Sequence, residues 1–196
     1  MWSATKLWAI LSMPTTECVR KAIQRMTVEV FGANEQADQE IPLERFVALA
    51  TSALRAQGVP DASEASLFFV DEEAIAVLNE RFLGKKGPTD VLSFPLDDDP
   101  VPSGRFPDAG TAGPGFEEDE GDDPMMLLGD IVICPGVAAR NAVDHGVTLD
   151  QELSLLVVHG VLHLLGWDHE VDSEAEKMEA REQQLLVQFS KESGSV

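Results

Sequence analysis

The sequence predicts an α/β (α+β) fold: a single domain whose small mixed sheet of about four strands is flanked by about five helices. Three observations support this. Short strand-like runs are interleaved with longer stretches of helical period, without a strict repeat and without a glycine-rich phosphate loop. Glycines fall where the helical stretches should stop, at Gly58, Gly84, Gly146 and Gly166. The chain has 196 residues, 44% of them hydrophobic and 25% charged, enough apolar material for one real core.

Residues 1–25 show no clean period and read as a loose N-terminal extension, with Met26 a candidate start. The domain then spans 26–190. TVEVF (27–31) alternates like a strand. Pro42 opens a helix in which Leu43, Phe46, Val47, Leu49, Ala50, Ala53 and Leu54 recur at helical spacing, until Gly58 and Pro60 close it. SLFFV (66–70) reads as a strand, after which Asp71 can cap a helix carrying Ile75, Leu78 and Phe82 inward, stopped by Gly84, Gly87 and Pro88. DVLSFPL (90–96) and LLGDIVIC (127–134) read as the two strands of an antiparallel hairpin. Pro135 suits the first position of a helix reaching His145. Thr148 and Gln151 form a capping-box signature before ELSLLVVHGVLHLL, the most apolar helix in the chain. A last helix, about 172–189, turns Met178, Leu185, Leu186 and Phe189 to the domain, and 191–196 are a polar tail.

Formal net charge is −21, from 35 acidic and 14 basic residues, which argues against a broad basic footprint for nucleic acid. Much of that charge is local, however. Ten acidic residues lie between Asp97 and Asp123 against the single basic Arg105, in a stretch rich in Pro and Gly, so 97–125 reads as a solvated acidic loop within the hairpin. Cys18 and Cys134 are far apart and have no ligand-like spacing, which favours a reducing compartment. No apolar run reaches the roughly 20 residues needed to span a bilayer, and the short LWAIL run near the N-terminus lacks a cleavage site, so a cytoplasmic protein without a membrane partner is expected.

Chemistry concentrates in HGVLHLLGWDH (159–169). His159 and His163 are four apart on a helix, so their imidazoles project from one face close enough to share a metal ion. Gly166 lets the chain turn in a left-handed conformation, after which His169 can fold back as a third ligand. Three protein ligands leave a tetrahedral position open for water, the arrangement of a catalytic rather than a structural Zn2+ site. A lone histidine on an apolar helix is more often a satisfied core or surface residue, but three of the four histidines in the chain fall within these eleven residues. The remaining one, His145, is expected to cap the end of its own helix. Asp168, beside a ligand, is a weak candidate for the catalytic carboxylate, against the plainer role of a turn residue. The string also fits the metzincin protease pattern HExxHxxGxxH, except that Gly160 stands where the protease has its glutamate base.

HGVLHLLGWDH, together with GPTDVLSFPLD (87–97) and LLGDIVICP (127–135), resembles the YbeY family of bacterial endoribonucleases, or rRNA maturation factors. The resemblance implies one α/β domain, one zinc-type ion per chain held by the three histidines, and ribosomal RNA and the small ribosomal subunit as partners, with processing of the 3′ end of the small-subunit RNA and ribosome quality control as the role. It departs at one point: relatives carry an arginine important for activity where LNERFLGKKGPTD places Leu83. Arg81, Lys85 or Lys86 can supply that charge as substrate-binding residues, or all three can be ordinary solvated surface charges. Thr89, Asp90 and Ser93 can face the metal cleft, or Thr89 and Asp90 can close the turn after Pro88. Asp130 can pair with backbone or orient a neighbour. A ribosome-assembly binding factor with a mainly structural metal site is the competing reading.

Overall fold

The computed structural model describes residues 27–96, 126–167 and 171–194. The expected extension 1–25, the acidic loop and the end of the tail therefore lie outside the described residues. The elements run β1 (Glu29–Asn34), α1 (Leu43–Ala56), β2 (Ser63–Phe69), α2 (Glu72–Leu83), β3 (Val91–Pro95), β4 (Met126–Ile133), α3 (Pro135–His145), α4 (Leu149–Leu164) and α5 (Asp172–Ser193). Four strands form one mixed sheet in the order β1-β2-β4-β3. β1, β2 and β4 are parallel and β3 runs antiparallel to β4, as the hairpin reading anticipates.

Two strands differ from their sequence boundaries. β1 starts at Glu29 rather than Thr27 and runs on to Asn34, and β2 begins at Ser63, three residues before the apolar run. Pairing sets these limits. Asn34 lies opposite Phe69 and Ser63 opposite Met126, so the ladder continues past the residues that look strand-like in isolation.

The sheet separates two cores. On one face α1, α4 and α5 bury Phe46, Leu49, Leu54, Leu67, Phe69, Ile131, Val157, Leu162 and Met178, and the Phe46 and Phe69 rings meet at 5.5 Å. On the other, Ile75 of α2 packs with Val70, Leu92, Val132 and Cys134, and the Phe82 ring meets Phe94 edge-on at 4.9 Å. Each fully buried large side chain contributes about 1.5–3 kcal/mol of transfer free energy. Ile75 is the one apolar side chain that α2 buries fully, so the first core dominates stability. Cys134 belongs to the second, and burial pushes its thiol pKa up, which makes it an inert packing group.

The helix ends follow local chemistry. Asp71 accepts from the Ala74 amide at 2.8 Å. Thr148 and Gln151 make both bonds of the capping box. α3 ends in a Schellman motif, Gly146 N to Val143 O and Val147 N to Ala142 O.

Candidate metal centre

Helix α4 lies directly on β3 and β4 because two glycines let it approach. A Cβ on Gly160 would come 2.6 Å from Ile131 Cγ2 and 3.3 Å from Ser93 Oγ. Gly129 has φ +132°, and a Cβ there would meet the Phe94 carbonyl and, at 3.0 Å, Leu164 Cδ2. Gly129 also follows a bulge: Leu127 pairs with Glu64 while Gly129 pairs with Ala65, leaving Leu128 as the extra residue. The bulge resets the alternation, so Leu128 and Ile131 both face the α4 core while Leu127 and Asp130 face outward.

α4 then ends as its sequence requires. Gly166 N bonds His163 O, Trp167 N bonds Leu162 O, and Gly166 adopts φ +79°, a Schellman motif that turns the chain away three residues after His163.

On the face of α4 turned to α5, the His159 and His163 rings stand nearly perpendicular, 83° apart, with centroids at 4.5 Å. Their Nε2 atoms converge to 3.0 Å. Two nitrogens bound to one tetrahedral zinc ion at about 2.0–2.1 Å lie about 3.3 Å apart, so a few tenths of an ångström of opening makes the pair bidentate. Behind His159, Nδ1 is 2.8 Å from Oε1 of Glu182 on α5, whose side chain is 8% exposed. The His159 side chain is 26% exposed and His163 is half-buried, so solvent reaches the pair. Two imidazole nitrogens 3.0 Å apart on one helix face, with a carboxylate 2.8 Å behind one ring, are a donor set suited to a zinc-type ion. His169 and Asp168 lie outside the described residues. Among the described residues no group of three His, Cys, Asp or Glu surrounds one point, and of the three expected ligands only His159 and His163 fall among those residues.

Glu182 was not among the candidates read from the sequence, although a signal for it was there. It lies four residues after Met178 and three before Leu185, on the stripe that faces the core, where an acidic residue needs a partner.

The other candidates are distributed as follows. Arg81, Lys85 and Lys86 are exposed at and just beyond the end of α2, on the opposite side of β3 from α4, and the Arg81 guanidinium lies 5.4 Å from the Phe82 ring centre. Leu83 is 54% exposed beside them. Asp90 does structural work: it accepts from Thr89 Oγ1, the Val91 amide and Asn141 Nδ2, while its carbonyl accepts from the Cys134 amide. Ser93 Oγ donates weakly to the Gly160 carbonyl at 3.4 Å. The side chain of Asp130 is exposed on the outer face of the sheet with Glu29 and Glu64, away from α4. His145 corrects its expected role. It is the last residue of α3, but its Nδ1 pairs at 3.1 Å with the buried Glu152 of α4 rather than with the carbonyls of its own helix, because α4 presents a carboxylate that the ring can reach. Glu152 holds the His145 pKa above its usual value, first by hydrogen bonding and then by charge.

The position that distinguishes the metzincin pattern is occupied sterically. Gly160 faces Ile131 with no room for a glutamate, so a protease base is excluded there by the packing of α4 on the sheet.

Known proteins resemble the chain over most of its length. The family model described as "Endoribonuclease YbeY" matches residues 32–190. Proteins named Endoribonuclease YbeY from Frankia casuarinae and Salinispora tropica are 43% and 42% identical to the chain. Those alignments cover 82% and 84% of this chain, and 74% and 96% of the respective relatives. The solution structure of TM1509 from Thermotoga maritima shares the fold, with a TM-score of 0.53 at 24% identity over 86% of this chain and 93% of that one. With the family model spanning both strand motifs and the two-histidine helix, the chain belongs to the YbeY endoribonuclease family.

Proposed function

We propose that this chain is a zinc-dependent, single-strand-specific endoribonuclease that works in ribosomal RNA maturation, at the 3′ end of the small-subunit RNA, and in ribosome quality control. In this reading, residues 26–190 act as one hydrolase domain, in the cytoplasm, with the small ribosomal subunit as partner. His159, His163 and His169 hold the ion. The single observation that carries the proposal is the 3.0 Å convergence of the His159 and His163 Nε2 atoms on an accessible face of α4.

The ion, when bound, supplies Lewis acidity that polarises a phosphoryl oxygen and lowers the pKa of water at the site. The chain's residues do the rest. α4, fixed on the sheet through Gly129 and Gly160, sets the spacing of the histidines. Arg81, Lys85 and Lys86 offer positive charge to the RNA backbone, and Asp168 is the carboxylate proposed to take a proton. Either water or the RNA 2′-hydroxyl serves as nucleophile.

The test is zinc content and turnover of a single-stranded ribosomal RNA fragment, measured on one preparation before and after chelation. About one equivalent of zinc and cleavage that disappears with it are expected. A second reading, a ribosome-assembly binding factor with a structural metal site, is favoured by the exposed Leu83 and by the charge of −21. Zinc-loaded protein that binds the fragment without cutting it would select that reading.

A further inference from the structure

We infer that Glu182 is the positioning residue of the metal centre: its carboxylate fixes the ring and tautomer of His159, and so makes helix α5 part of the site. The inference rests on the metal reading above and extends it to a residue outside the histidine motif.

The argument starts from burial. Glu182 is 6% exposed, between Met178 one turn before it and Leu185 one turn after, both of which are buried in the main core. A carboxylate is rarely buried without a strong partner, because its desolvation is costly. Its partner is His159 Nδ1, at 2.8 Å. In the tautomer where Nδ1–H donates to the Glu182 carboxylate, Nε2 is the nitrogen that keeps a lone pair. That lone pair is the one that faces His163 Nε2 at 3.0 Å. Without an acceptor at Nδ1 nothing holds the proton there or fixes the ring, and a proton on Nε2 or a rotated ring loses the convergence of the two donors. The bond also makes the ring a stronger donor, since the carboxylate offsets the charge that coordination draws from the imidazole.

The geometry further links two elements distant in sequence. His159 lies in α4 and Glu182 in α5, so docking of α5 and binding of the ion favour each other, and a change on α5 is read as metal affinity.

The test compares wild type, Glu182→Ala and Glu182→Gln. Zinc affinity is measured by competition with a chromophoric chelator, cobalt(II) coordination by its visible absorption band, and melting temperature with and without zinc. Glu182→Ala should weaken zinc binding by about 10- to 100-fold, alter the cobalt band, and shrink the zinc-induced rise in melting temperature. Glu182→Gln keeps an oxygen that accepts from Nδ1 but loses the charge, and should fall between the two. A helix tie with no positioning role would lower the metal-free melting temperature while leaving zinc affinity and the cobalt band of the variants at wild-type values, and that result overturns the inference. Should Glu182→Ala not fold, the glutamine variant alone decides by the same readouts. Wild-type protein that takes up neither zinc nor cobalt would overturn the underlying metal reading, a failure distinct from unaltered binding by the variants.

Discussion

At the scale of single residues, Gly160 shows how one position separates two chemistries that share a motif. In a metzincin it would carry the general base, whereas here the missing side chain is what brings α4 onto β3 and β4. Gly160→Ala should therefore destabilise the fold by about 1–3 kcal/mol, because the added methyl meets Ile131, a β-branched core residue with little freedom to move. Denaturant unfolding of the two proteins checks this; equal midpoints would mean the sheet yields there at no cost. His145 provides a second test with a definite sign. Its pKa is raised in the fold by the Glu152 hydrogen bond, then by the charge of Glu152, with smaller help from Asp144 and Asp90. A histidine whose folded pKa lies above its unfolded value of about 6.5 adds stability that is full below that value and is lost as pH rises through the folded one. Wild type should thus outlast His145→Gln in thermal melts below about pH 6.5, and the gap should close as pH rises above that value through the raised folded pKa. A gap that widens with rising pH would reverse the sign and exclude the ion pair as its source.

At the scale of elements, what the sequence made legible divides along locality. Helix ends were readable because their determinants are adjacent in the chain: Asp71 three residues before the amide it accepts from, Thr148 and Gln151 closing on each other, Gly146 and Gly166 at positive φ. Thr148→Ala should accordingly cost about 1 kcal/mol, read as a lower denaturation midpoint with zinc content unchanged. The strand limits and the β4 bulge were not readable, because cross-strand partners far away in sequence decide them. Nothing within LLGDIVIC states that Leu128 is the extra residue, although the lone glycine in a strand is a hint of it. The site divides in the same way. His159 and His163 follow from helical spacing, while Glu182 approaches from α5 and is visible in sequence only as an acidic residue on an apolar stripe. Gly129→Ala should be more damaging than the cap variant, since its Cβ would meet backbone, the Phe94 carbonyl, at a φ that alanine rarely adopts.

At the scale of the whole molecule, a chain of net charge −21 that belongs to a nuclease family must hold a polyanion against its own field. General electrostatic attraction cannot serve, so the proposed grip on RNA rests on a few cations. Arg81, Lys85 and Lys86 are exposed together at the end of α2, beside the apolar Phe82 and Leu83. Each phosphate neutralised on a single strand contributes a slope of about −0.7 to log affinity against log salt, so two or three contacts predict a total near −2. Arg81→Ala combined with Lys85→Ala should weaken binding of a single-stranded ribosomal RNA fragment and flatten that slope by about 1.4, while zinc content stays at the wild-type level because neither residue adjoins the histidines. His159→Ala should do the reverse, losing zinc and cleavage while keeping the salt slope. The slope and the metal content are thus two independent measurements, and each variant should move one of them. A double variant with an unchanged slope would place the RNA elsewhere on the surface, and a His159→Ala protein verified free of metal that still cuts at the wild-type rate would remove the metal centre from the reaction.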